Sequence, residues 1–188
     1  LKAELRDRSV DDSLIIHKAC QVGLDKEYVQ HLIHEVGDIL LRTTDRQGWM
    51  PLHYACRFSS ENIELIKYLL GKYNEAVEKP DRFGRLPLHL ACDGNAPVEV
   101  IRALLENHEG TVLGETNYMK MIPLHIACNR EAEFEVVKVL LDADTQELSV
   151  TKESLIGRLP LHMAIEEKME PDVVDLLLEK GNDDDIYT

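Results

Sequence analysis

The chain has 188 residues, 44% of them apolar, which is enough to bury a core and excludes wholesale disorder. Thirty-five acidic against 21 basic side chains give a net charge of −14, which argues against bulk electrostatic binding to nucleic acid or an anionic membrane. No apolar run approaches the ~18 residues of a membrane-spanning helix, no charged-then-apolar signal peptide opens the chain, and a first residue of Leu1 rather than Met fits a processed chain or part of a longer one.

The predicted elements recur with a fixed period. A weak first copy, Leu14-Ile15-Ile16-His17-Lys18, is followed by Met50-Pro51-Leu52-His53-Tyr54 and Leu86-Pro87-Leu88-His89-Leu90. Ile122-Pro123-Leu124-His125-Ile126 and Leu159-Pro160-Leu161-His162-Met163 complete the set, with the histidines spaced 36, 36, 36 and 37 residues apart. Ala follows each His two positions on, as Ala19, Ala55, Ala91, Ala127 and Ala164. In each later copy proline sits where a helix begins and its missing N–H is not needed, so a short helix is predicted, as from Pro51 to about Phe58. A polar link such as Ser59-Ser60-Glu61 leads to a second helix with Ile63, Ile66, Leu69 and Leu70 at helical spacing. Its equivalents carry Val100-Ile101 with Leu104-Leu105, Val136-Val137 with Leu140-Leu141, and Val173-Val174 with Leu177-Leu178. Asp45-Arg46-Gln47-Gly48 and Asp81-Arg82-Phe83-Gly84 have turn chemistry between units. A two-helix unit of this size cannot bury its apolar face alone, so the units must stack into a solenoid.

The Pro-Leu-His-x-Ala units, paired helices and Asp-x-x-Gly turns resemble ankyrin repeats over about residues 13–188. The resemblance implies an all-α, ankyrin-like helix-turn-helix solenoid of about five units with projecting β-turn or hairpin fingers. Residues 1–12 read as an N-terminal extension, and the units as 13–48, 49–84, 85–120, 121–157 and 158–188. The resemblance further implies a concave face of fingers and first helices that binds other proteins, with no catalytic activity. The sequence departs from the family pattern in its period of 36 or 37 and in Met50, Leu86, Ile122 and Leu159 where Thr is usual. Losing that hydroxyl cap costs ~1 kcal/mol, which burial of the replacing side chain can offset, and the histidines must find backbone partners instead. The Gly-His pair that usually joins the helices is absent, and Lys120 replaces the turn glycine of the third finger.

Cys20, Cys56, Cys92 and Cys128 hold one register, with Ile165 in the fifth unit. Stacked units lie about 10 Å apart, beyond the ~7 Å Cα limit of a disulfide, so these thiols are expected to pack as small apolar groups. An intracellular reducing compartment follows, cytoplasmic or nuclear, with a plastid interior equally compatible. The histidine series is too widely spaced to share one ion and is expected to serve hydrogen bonding. His31 and His34 share a helix face without a third ligand nearby. No phosphate-binding glycine loop, nucleophile elbow or zinc-protease motif occurs, so no catalytic residue, metal or cofactor is expected.

Six of the ten arginines fall at positions that the resemblance places on the concave face: Arg46, Arg57, Arg82, Arg85, Arg130 and Arg158. Beside them stand Trp49, Phe58, Phe83, Tyr118, Met119 and Met121, with Leu155 and Ile156. Arginine with aromatics is the composition of binding hot spots. The expected function is therefore a non-enzymatic adaptor or assembly subunit whose protein partner offers an acidic and apolar segment, with neither nucleic-acid binding nor membrane insertion. Arg85, Arg158, Phe83, Leu155 and Ile156 have a competing reading as scaffold. The alternatives for the whole chain are a structural spacer in a larger complex and a regulatory piece of a larger enzyme or channel. Acidity rises toward the C-terminus, from 0 over residues 49–84 to −6 over 158–188, where the unit reads as a polar end or a docking patch for a basic partner. Oligomeric state is left open.

Overall fold

The structure, a computed structural model, describes residues 15–106, 108–116, 118–146 and 148–181. The expected extension at 1–12 lies outside the described residues. Ten α-helices form five pairs, and no strand occurs among the described residues. The first helices are α1 (Ile15–Gln21), α3 (Pro51–Phe58), α5 (Pro87–Asp93), α7 (Pro123–Asn129) and α9 (Pro160–Glu166). The second helices are α2 (Lys26–Val36), α4 (Ile63–Lys72), α6 (Val98–Leu105), α8 (Phe134–Asp142) and α10 (Pro171–Lys180). First helices stack on first helices and second on second along the whole array. The extra length of the units folds into short 3-10 turns at Asp38–Arg42, Asn74–Glu78 and Glu109–Leu113, the first two burying Leu40, Leu41, Ala76 and Val77.

The residues that recur in sequence are those that interlock. Ala55, Ala91, Ala127 and Ala164 have no exposed surface, which lets neighbouring first helices approach closely. Apolar pairs one turn apart on the second helices, such as Leu65-Ile66 with Leu69-Leu70, close the core from the other side. All four cysteines are free and buried, and burial pushes the Cys20 and Cys128 thiols up to about 12, so they stay protonated and unreactive.

The histidines take over the missing cap. Nδ1 of His53, His89, His125 and His162 accepts the backbone N–H of Met50, Leu86, Ile122 and Leu159 at 3.0–3.3 Å. That pattern fixes Nε2 as the protonated nitrogen, which then donates outward to the loop that carries the chain on to the next unit. His17 Nε2 lies 3.1 Å from the Thr43 carbonyl, His89 Nε2 2.9 Å from that of Gly114, and His125 Nε2 2.9 Å from that of Arg158. His53 Nε2 faces the Lys79 and Arg85 carbonyls without a bond of ordinary geometry among the described residues. The His89 and His125 rings thus cap their own helices and reach the Met121 and Arg158 carbonyls of the next unit, at 3.2 and 2.9 Å.

Departures from the family pattern leave local strain. Asn95, Glu131 and Lys168 link the two helices of their units at φ of 50°, 54° and 58°, the place Gly23 takes at 69°. A side chain in this left-handed region costs roughly 1 kcal/mol or more against glycine. Glu131→Gly and Lys168→Gly are each expected to stabilise the chain by about 1 kcal/mol, read as a raised urea midpoint with an unchanged slope.

Candidate functional site

Each finger hangs on one polar side chain whose oxygen bonds the turn it begins. Asp45 Oδ1 accepts the N–H groups of Gln47 and Trp49, both at 2.8 Å, and its Oδ2 accepts the Tyr54 hydroxyl at 2.8 Å. Asp81 does the same for Phe83 and Arg85 at 2.8 and 2.9 Å. Thr116 and Ser154 serve the third and fourth fingers through Met121 N and Arg158 N, both at 3.2 Å. The anchoring residue lies eight positions before the signature His in fingers one, two and four, but nine in the third. That finger therefore holds one extra residue before Lys120, which still adopts the left-handed φ of 49° that its glycine counterparts use.

The inserted residue changes the surface. Tyr118 and Met119 stand 65% and 43% exposed at the tip of the third finger. The Tyr118 ring lies 5.9 Å from that of Phe83 on the second finger. The first finger bonds the second through Arg82 N–H to the Gln47 carbonyl at 2.9 Å, and the fourth bonds the third through Leu155 N–H to the Met119 carbonyl at 2.8 Å. Between fingers two and three opens a groove of about 370 Å³, walled by Phe83, Tyr118, Met119, Met121 and Ile126, with Arg130 and Asp93 along its base.

The base holds a cluster of paired charges. Arg57 Nε meets Asp93 Oδ2 at 2.8 Å, while Arg130 reaches Asp93 Oδ1 through Nε at 2.7 Å and a terminal nitrogen at 2.6 Å. Two guanidinium groups share one carboxylate, and beside them Asn129 Nδ2 holds Glu167 Oε1 at 3.1 Å. The Arg130 side chain remains 51% exposed.

The structure gathers six of the twelve residues singled out from the sequence in this groove: Phe83, Arg85, Tyr118, Met119, Met121 and Arg130. Arg57 joins them through Asp93, and its guanidinium lies 5.5 Å from the exposed Phe58 ring. Arg46 and Arg82 are exposed on the first two fingers, away from the groove lining. One expectation of exposure needs correction. Trp49 is 7% exposed, because its indole fills the space between the first two fingers and donates Nε1–H to Asp81 Oδ2 at 2.9 Å. Arg85 is a brace, held by Asp81 at 2.8 Å through two nitrogens and stacked within 5.3 Å of the Trp49 ring and 5.0 Å of Phe83. Arg158 pairs with Glu166 at the last unit, outside the groove lining. Sequence reasoning passed over Asp93, Thr116, Ile126 and Asn129. Asp93 was detectable, since it occupies in its unit the position that Arg57 occupies one period earlier.

No group of three side chains able to hold a metal occurs among the described residues. No described helix is long and apolar enough to cross a membrane. The stacked helix pairs and finger groove define a repeat solenoid that displays a surface. The chain matches the family described as Ankyrin repeats (3 copies) over residues 16–117 and 109–187, and it belongs to the ankyrin repeat family. Domains of this kind are generally protein–protein interaction modules and typically not enzymes. No curated protein matches the chain significantly.

Proposed function

We propose that the chain is a non-enzymatic adaptor or assembly subunit that grips a partner protein at the groove between its second and third fingers. The observation that carries this reading is the extra residue of the third finger, which holds Tyr118 and Met119 out beside Phe83 above a base where the Arg130 side chain stays half-exposed. A partner segment with an apolar side chain and a nearby carboxylate satisfies both features: the apolar group enters between Phe83, Met119 and Ile126, and the carboxylate pairs with Arg130. Phe58 and Arg57 extend the same face toward the first units, with Arg46 and Arg82 above them and Arg158 beyond. Trp49 and Arg85 act in this reading by holding the fingers in place. The net charge of −14 disfavours nucleic acid as the partner. The unit division 13–48, 49–84, 85–120, 121–157 and 158–188 belongs to the same reading, the first four units each giving two helices and one finger and the fifth two helices. Four buried thiols without a disulfide among them fit an intracellular reducing compartment.

The test compares capture of proteins from source cells by the full chain and by a Tyr118→Ser, Met119→Ser, Arg130→Glu variant with unchanged circular dichroism. A partner bound by the full chain and weakened at least tenfold by the variant is the expected result. Equal binding by both would move function to the second helices and favour the structural-spacer reading.

A further inference from the structure

Phe58, Gly94 and Arg130 recur at one register position, at or just past the ends of α3, α5 and α7. Those helices stack in that order, so the three positions form a line that starts apolar, crosses a residue without a side chain and ends on a cation. Phe58 is 50% exposed although described helices, α1 and α5, flank α3 on both sides. Its ring is backed by the buried rings of Trp49 and Tyr54 at 5.9 and 6.2 Å, with the Arg57 guanidinium at 5.5 Å. Trp49 and Tyr54 are pinned in turn by Asp81 and Asp45, so Phe58 presents a fixed apolar surface. At the next position a Cβ on Gly94 would lie 2.8 Å from the Arg57 carbonyl. Packing therefore keeps this place bare, and a chain crossing it can bring its backbone close.

We propose that Phe58 is a second apolar subsite for the partner segment that fills the groove, and that the segment crosses Gly94 in extended form. The inference rests on the groove reading given above and adds to it an order and a spacing. The groove is walled from α5 and α7, so its centre lies beyond α5 as seen from Phe58 on α3. With stacked helices about 8–10 Å apart, the two subsites are separated by roughly 10–14 Å. Extended chain covers that distance in about three or four residues, whereas a helix needs about seven to nine. The extended form follows from the groove itself, which opens between fingers one unit apart. That gap admits a side chain, not a helix about 10–12 Å across. The segment therefore reads, in order along the stack, as an apolar residue on Phe58, a short link over Gly94, and an apolar groove anchor with its carboxylate at Arg130. Because the Phe58 ring is already held in place, covering it costs little ordering.

Selection of displayed random peptides on the full chain tests the proposal, using peptides long enough to span both subsites. Counter-selection against the Tyr118→Ser, Met119→Ser, Arg130→Glu variant keeps only groove-dependent binders. Their synthetic forms should carry a second apolar residue about three or four positions from the groove anchor. Serine at that residue should weaken binding about tenfold or more, the scale set by burial of one apolar side chain. On a Phe58→Ser chain the same peptide change should have little further effect, which marks direct contact between the two side chains. If Phe58 acted only by supporting Trp49, its substitution would weaken both peptides alike, and that outcome would overturn the proposal. Groove-dependent peptides with a single apolar anchor, or with the second about seven or more positions away, would also overturn it while leaving the groove reading intact. An absence of groove-dependent peptides would remove the groove reading and this inference with it.

Discussion

Asp81→Ala is expected to lower stability by about 3–5 kcal/mol, the cost of removing one partner from a buried ion pair. The residue is 5% exposed and its two oxygens accept five hydrogen bonds. Two shape its own finger, one fixes the Trp49 indole of the preceding finger, and two hold the Arg85 guanidinium. Alanine leaves those donors unmatched in a space that water cannot easily fill, and strands a cation against two aromatic rings. Asp81→Asn keeps the shape but offers donors to the side facing Trp49 and Arg85, so it should lose roughly half as much. Trp49 is the only tryptophan, so its fluorescence reports on this site directly. The alanine variant should show red-shifted emission before global unfolding, together with a lowered urea midpoint. An unchanged midpoint would mean that the fingers are held by their backbone bonds alone.

Stability should also fall steeply with acid before carboxylates titrate. Burial pulls His53 and His89 down to about 4 from an ordinary 6.5, and lowers His125. The Asp81 charge and the facing carbonyls oppose that shift at His53 and His89, as the carbonyls and Glu115 do at His125, without overcoming it. A depressed folded pKa means that the unfolded chain binds the proton first. The contribution of the neutral rings is complete above about pH 6.5 and is lost as pH falls toward 4, by up to about 3 kcal/mol for each of the two strongly shifted groups. The chemistry agrees with the sign: a protonated Nδ1 would face the cap N–H that it now accepts. Urea midpoints measured from pH 7.5 to 5 should be flat above 7 and drop below 6.5. His89→Gln should cost about 1–2 kcal/mol at pH 7 and make the remaining pH slope shallower. A profile level down to pH 5 would contradict the neutral, inward-facing assignment.

Periodicity made most of the fold legible, because stacking identical units demands identical residues at the contacts. Ala, Pro, Leu and His recur where neighbouring helices touch, and the structure buries them there. The site was harder to read, since exposure depends on which finger a neighbour covers. Trp49 and Phe83 both stand beside a turn glycine, the first after Gly48 and the second before Gly84. Asp81 draws the first inward through its indole nitrogen, while Phe83 has no polar atom to anchor and leans toward Tyr118. Arg85 likewise reads as a binding arginine until its carboxylate is seen four residues away in the chain and 2.8 Å away in space. The longer third finger was hidden by the constant 36-residue period: its insertion is compensated elsewhere in the unit, so only the offset of Thr116 from His125 betrays it.

The central claim, that a partner seats over the groove between the second and third fingers, is tested most directly by site-specific photocrosslinking in source-cell extract. Benzoylphenylalanine would replace Tyr118 in one form of the chain and Lys138, on the opposite second-helix surface, in another. The account predicts a discrete covalent adduct from position 118, lost when Arg130→Glu is added, and none from position 138. An adduct from position 138 with none from 118 would contradict it.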